Sequence, residues 1–158
     1  MIEGVKTKEL TPHSDERGLL MEFLRDDDEL FEKFGQVYLT LVKRGSAKAW
    51  HHHNSQDDHF VCVEGKALVA LCDMRQDSPT YKQTMDFILS APEIEGNHLL
   101  VKIPKGVAHG FTAVDCSQAK IVNIPTRHYN YSAPDEQRYP WDDPAIGYQW
   151  PKEVKGGG

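Results

Sequence analysis

Hydrophobic spacing divides the chain into short apolar runs separated by turn residues. GLLMEFL (18–24), QVYLTLV (36–42), HFVCVEG (59–65), KALVALCDM (66–74), HLLVKIP (98–104), HGFTAV (109–114) and AKIVNIP (119–125) alternate apolar with polar positions or are dense in Val, Ile, Leu and Tyr. Both patterns predict strands. KRGS, VEGK, RQDSP and PKG mark the turns between them. Only DDDELFEKF (26–34) predicts a helix, because its acidic residues would fill a first helical turn. Many short strands with one or two short helices predict an all-β sandwich or barrel. The stretch 126–155, rich in Pro and aromatics, predicts an irregular wrap around the strands. Residues 1–155 read as a single domain with an N-terminal strand or arm, and 156–158, all glycine, as a foreign remnant or a frayed tail.

Composition narrows the class. A chain of 158 residues is long enough for one ordinary core. With 39% hydrophobic and 27% charged residues it reads as a soluble globular protein. A net charge of −6 argues against nucleic acid, which is bound by neutralising phosphates. No apolar run approaches the roughly 18 residues a membrane-spanning helix needs. The N-terminal MIEGVKTKEL lacks the apolar core of a signal peptide. Cys62, Cys72 and Cys116 form no CxxC pair and read as reduced thiols, mostly buried, in a cytoplasmic protein.

The chemistry concentrates in AWHHHNSQDDHF (49–60), which holds four of the eight histidines beside Asp57 and Asp58. Strand alternation turns His51 and His53 to one side and His52 to the other. By itself a run of three histidines is also an ordinary polar loop. The wider spacing is Gly45, five residues, His51, one residue, His53, four residues, Asp58, six residues, Gly65. It resembles the first motif of the cupin superfamily, with Asp58 where Glu is usual. PKGVAH (104–109) resembles the core of the second cupin motif, P-x-G-x-x-H. The resemblance implies a cupin-type double-stranded β-helix, or jelly roll. It also implies that His51, His53, Asp58 and His109 meet on one divalent metal. Three imidazoles and a carboxylate suit Fe(II), Mn(II), Ni(II), Co(II) or Zn(II).

A more specific resemblance covers Glu9 to Pro151. DERGLLMEF (15–23), FGQVYLT (34–40), DMRQDSPTY (73–81), IPKGVAHGF (103–111) and WDDPAIGYQWP (141–151) resemble, in order, segments of the dTDP-4-dehydrorhamnose 3,5-epimerase family. That resemblance implies action on nucleotide-linked 4-keto-6-deoxy sugars. A histidine removes a proton beside the ketone, a lysine steadies the enolate oxygen, and a tyrosine returns a proton to the other face. It implies no metal and no other cofactor, and a homodimer that exchanges N-terminal strands. On it, His51 is the base, Lys48 stands for the arginine of an R-G-L-H element (here KAWH), and His109 is a second site histidine. Arg17, Glu22 and Arg75 fall where the nucleotide and its diphosphate are held, and His59 is a further candidate substrate contact.

The departures carry information. Asp58 stands where the family has its lysine, His53 where it has glutamine, and Asn123 where it has the acidic tyrosine. A later family segment, whose aspartate partners the base, has no counterpart here. A carboxylate beside a forming enolate raises the barrier, whereas a divalent metal between the two reverses the local sign. The changes at 53 and 58 both move toward the metal-cupin pattern. The leading reading is therefore an epimerase or isomerase of a sugar nucleotide, assisted by a divalent metal. A metal-dependent cupin of another class, such as an Fe(II) dioxygenase or small-molecule isomerase, and a non-catalytic sugar-nucleotide binding module are the alternatives. If the histidines ligate metal, a metal-bound hydroxide, His59, Tyr38 or Tyr129 become the candidates for taking the proton, and Asn123 a hydrogen-bonding contact to substrate.

Overall fold

The computed structural model describes residues 1–158, all in strands, turns and irregular chain. The strands are β1 (Lys6–Glu9), β2 (His13–Asp15), β3 (Gly18–Leu20), β4 (Tyr38–Lys43), β5 (Ser46–His52), β6 (Asp58–Glu64), β7 (Lys66–Asp73), β8 (Thr84–Ser90), β9 (Leu99–Ile103), β10 (Val107–Ala113), β11 (Gln118–Asn123), β12 (Gln137–Arg138) and β13 (Gly156–Gly157). One sheet runs β1-β9-β6-β11-β4 and the other β12-β5-β10-β7-β8, with β13 added to β5 and β2-β3 a separate hairpin. All pairings are antiparallel except β13 on β5. The fold is all-β, as expected.

The inner faces of the sheets form the main core. Phe60, Val101, Ile103 and Ile121 from the first sheet meet Val69, Leu71, Val107 and Phe111 from the second. Burying such apolar area drives the two layers together. Each outer face is covered too. Leu10 and Leu30 cover Val61 and Leu100 on the first sheet. Ile146, Val154, Tyr148 and Trp150 from the C-terminal wrap cover Ala49, Trp50, Ala70 and Ala108 on the second. Double coverage explains why the β6 and β7 sequences read as nearly unbroken apolar runs.

Two expectations need correction. DDDELFEKF is not a helix; residues 26–30 form isolated turns. Asp28 is drawn off by Lys8 Nζ at 2.5 Å and by the Arg25 amide at 2.8 Å, while Leu30 is buried against the first sheet. Those tertiary ties prevail over a weak local preference in which four successive acids repel one another. The terminal glycines are not frayed. Lys155 N–H donates to Gly45 O at 2.9 Å and Gly158 N–H to Ala47 O at 3.1 Å, so the tail extends the second sheet. A Cβ on Gly157 would lie 2.2 Å from Ala47 O, so no larger residue fits this approach. β8, whose Met85 and Phe87 pack on the core, is a strand the apolar runs did not single out.

Candidate active site

β5 and β10 lie side by side and bring His51 opposite His109, with ring centroids 4.2 Å apart. Two residues further along β10 the register has slipped: Phe111 faces Lys48, so Ala49 and Trp50 together oppose Gly110. This is a β-bulge, which re-aims side chains beside it. Ala49 and Trp50 both turn outward into the wrap, where Trp50 Nε1 donates to Trp141 O at 3.0 Å. Lys48 and His51 both face the inner cavity, which unbroken alternation would forbid. Gly110 permits the bulge, since a Cβ there would lie 2.2 Å from the Ala49 Cβ.

His51, His53, Asp58 and His109 each place one donor atom within 4.8 Å of the others. Asp58 and His109 are each 1% exposed and His53 8%. His109 Nδ1 donates to Val107 O at 3.0 Å and His53 Nδ1 to Asp135 O. Each carbonyl fixes a tautomer whose Nε2 carries the lone pair, the arrangement in which histidines ligate metals. Asp58 Oδ2 lies 3.1 Å from His109 Nε2 and 3.3 Å from His53 Nε2. Neither approach has hydrogen-bond geometry, and Asp58 Oδ2 and His109 Nε2 remain buried without a hydrogen-bond partner. Donor atoms bound about 2.1 Å from one ion lie about 3–4 Å apart, so these two separations fit shared ligation. The residues present thus fit a divalent cation.

His51 differs from its neighbours. No hydrogen bond fixes its ring, and it lines the cavity. Burial, with His109 alongside, holds its imidazole well below the ordinary histidine value. It is therefore neutral at pH 7, with a lone pair available. Burial also pushes His53 down, but the Asp58 carboxylate and the Asp135 carbonyl outweigh it and hold His53 above the ordinary value. Burial would raise Asp58, but in the absence of a cation the His109 and His53 rings, when they bear a proton on Nε2, keep its carboxyl well below the usual range.

The cavity beside His51 has a volume of about 410 Å³ and is lined by residues that include Tyr38, Thr40, Lys48, Phe60, Phe111, Glu136 and Arg138. That volume suits a sugar. Lys48 Nζ donates to Thr40 Oγ1 at 2.9 Å across the gap between the sheets. A second cavity of about 490 Å³ opens on His53 and is lined by Lys33, Phe34, Arg127, His128 and Tyr129 among others. The cluster therefore sits between two openings.

The remaining expected residues are not gathered here. Arg17 lies in the β2-β3 hairpin, paired with Asp15 at 2.5 Å and with its side chain 83% exposed. Glu22 is exposed near Arg25, and neither lines a cavity beside the cluster. Arg75 grips Asp73 through Nε and one terminal nitrogen, both at 2.8 Å, and reaches Glu3 O, so its guanidinium is largely spent on structure. His59 is a correction. It is fully buried with ring nitrogens on Ile124 O and Leu30 O, on the side of β6 away from Asp58, and lines neither cavity. Asn123 is also fully buried, with both ends of its amide used: Oδ1 accepts the His59 amide at 3.0 Å and Nδ2 donates to Tyr38 Oη at 2.9 Å. Tyr129 lines the other cavity and meets Tyr131 edge to face. Sequence reasoning missed Asp135, whose carboxylate also accepts the Asn54 and Ser55 amides, and Arg138, which pairs with His51 across β12. No spacing signal marks either one.

A family model described as dTDP-4-dehydrorhamnose 3,5-epimerase matches residues 1–156. The spore coat polysaccharide biosynthesis protein SpsL of Bacillus subtilis is 43% identical over 155 residues, 98% of this chain and 100% of that protein. The probable low-salt glycan biosynthesis epimerase Agl13 of Haloferax volcanii is 36% identical over 157 residues, 98% of each chain. Among solved structures, a dTDP sugar isomerase from Desulfovibrio desulfuricans superposes with TM-score 0.86 at 30% identity, covering 94% of this chain and 92% of that one. A dTDP-6-deoxy-D-glucose-3,5-epimerase from Legionella pneumophila, bound to dTDP-4-keto-L-rhamnose, superposes with TM-score 0.83 at 26% identity, over 98% of this chain and 83% of that one. Jelly-roll architecture, the histidine-lined cavity and this whole-chain similarity agree: the chain belongs to the dTDP-4-dehydrorhamnose 3,5-epimerase family.

Proposed function

We propose that this chain epimerises a 4-keto-6-deoxy sugar carried on a nucleoside diphosphate, with a divalent cation held by His53, Asp58 and His109 and with His51 as the base. The observation that carries the reading is the contrast within the cluster. His53 and His109 are locked by carbonyls with their Nε2 atoms turned to an unpartnered Asp58 oxygen, while His51 is neutral, unlocked and open to the cavity. Relatives named dTDP-4-dehydrorhamnose 3,5-epimerase support the substrate class, and the Legionella structure holds a dTDP-linked keto sugar. These favour epimerisation over the dioxygenase and binding-module readings.

The ketone acidifies the C–H bonds beside it, and His51 takes one such proton. Lys48, brought to the cavity by the bulge, offers a cation to the enolate or the diphosphate, with Arg138 beside it. A divalent ion at the cluster would supply a Lewis acid toward the carbonyl oxygen. Fe, Mn, Ni, Co and Zn all suit this donor set. A metal-free form also has an observation behind it: the raised His53 would then be the cation that offsets Asp58.

A homodimer belongs to the proposal. Leu19 and Leu20 on the hairpin and Val37 and Leu39 at β4 are exposed apolar side chains that a second copy would cover. The unpaired Cys62, Cys72 and Cys116 support a reducing, cytoplasmic setting.

Two measurements test the reading. Metal analysis of untagged protein after reconstitution should give close to one equivalent; less than about a tenth sinks the metal. Incubation with dTDP-4-keto-6-deoxyglucose in D2O should place deuterium beside the ketone, and no incorporation sinks the epimerase.

A further inference from the structure

Inversion at carbon needs two proton-transfer groups, one on each face of the planar enolate. His51 enters the cavity from the second sheet. The first residue of β4, Tyr38, lines the same cavity from the facing sheet. Its register partner is Asn123, whose Nδ2–H donates to the phenol oxygen at 2.9 Å. Asn123 is itself held by the His59 amide, so the phenol oxygen rests on a rigid, fully buried donor. That contact uses a lone pair on Tyr38 Oη and leaves its O–H without an acceptor in the protein. Burial, with the Asp58 charge second, pushes the phenol up to about 12. Tyr38 therefore keeps its proton at pH 7 and serves as an acid. The competing hydroxyls are less suited. Thr40 already accepts the Lys48 ammonium, and Tyr139 contacts His52 at 3.3 Å from the sheet that carries His51.

We propose that Tyr38, oriented by Asn123, delivers the proton that completes inversion on the face opposite His51. The inference rests on the epimerase reading above. The balance is simple. His51 accepts the proton and the C–H electron pair enters the enolate. The enolate carbon then takes the Tyr38 proton, after which the phenolate regains a proton from water and His51 returns its own to water.

The test is Tyr38→Phe with dTDP-4-keto-6-deoxyglucose in D2O, following both deuterium wash-in beside the ketone and formation of epimer by NMR. Thermal melting and dTDP binding confirm the fold and the site. Wash-in should persist within about threefold, because His51 still removes and returns a proton on its own face. Epimer formation should fall about 100-fold or more, the usual scale for a lost general acid. Inversion at the wild-type rate overturns the proposal, and so does equal loss of both signals with dTDP binding intact. A wild-type protein that shows no wash-in at all overturns the epimerase reading and Tyr38 with it. If Tyr38→Phe is poorly folded, Asn123→Ala is read by the ratio of inversion to wash-in. That ratio should drop, and an unchanged ratio overturns the orienting role.

Discussion

Asp58→Asn probes the cluster directly. The change keeps the side chain's shape at a position 1% exposed and removes the charge lying 3.1 and 3.3 Å from two imidazole nitrogens. Four-ligand zinc sites are worth about 10–16 kcal/mol, or roughly 3 kcal/mol per ligand. At 1.4 kcal/mol per decade, losing the anionic ligand should weaken metal binding about 100-fold. The assay is thermal melting of chelated, untagged protein, with and without each candidate metal at about 100 times its wild-type Kd. Wild-type protein should then gain about 2.7 kcal/mol, which for a chain of this size raises Tm by about 5–10 °C. Under the same conditions the variant, with metal near its own Kd, should gain about 0.4 kcal/mol, or roughly 1 °C. Equal shifts in both proteins would show the metal held elsewhere. A wild-type Tm indifferent to Fe, Mn, Ni, Co and Zn would refute the metal altogether and leave the His53–Asp58 ion pair in its place.

Three other outcomes follow from the fold. Lys48→Met should lower kcat/KM about 10- to 100-fold, the range of a lost charged hydrogen bond, and an unchanged value would mean that the bulge does not aim Lys48 at substrate. Gly110→Ala should cost about 3 kcal/mol in urea denaturation, because the added Cβ lies 2.2 Å from Ala49 and forces β5 away; native stability would show that the bulge yields without strain. Asp73→Asn should cost about 3 kcal/mol at pH 7, since Arg75, Ser78 and Thr80 all converge on this fully buried carboxylate. Burial alone would raise Asp73, yet those partners hold its carboxyl well below the ordinary value. A depressed folded pKa stabilises above the unfolded pKa, so this contribution is complete above about pH 5 and lost as pH falls below about 4. Urea midpoints of wild type and variant should therefore converge in acid, and a constant gap from pH 7 to pH 3 would contradict the assignment.

What the sequence determined by itself is what local spacing can encode. β6, β7, β9, β10 and β11 were legible because each is an apolar run closed by turn residues. The donor set His51, His53, Asp58 and His109 was legible through the two cupin motifs its residues resemble, strand alternation adding only that His51 and His53 share a side. Tertiary structure decided whatever depends on pairing between distant segments. The bulge that turns Lys48 inward arises where β5 meets β10 and the wrap, and nothing in KAWH announces it. Asp135 locks His53 from 82 residues away, and Asn123 meets Tyr38 across 85. The helix expected at 26–34 gave way because Lys8 and the outer face of the first sheet claim Asp28 and Leu30. A strand's periodicity is a property of neighbours in sequence. Register, bulges and the anchoring of a histidine ring are set by which strands the whole fold brings together, and only the assembled sheets contain that information.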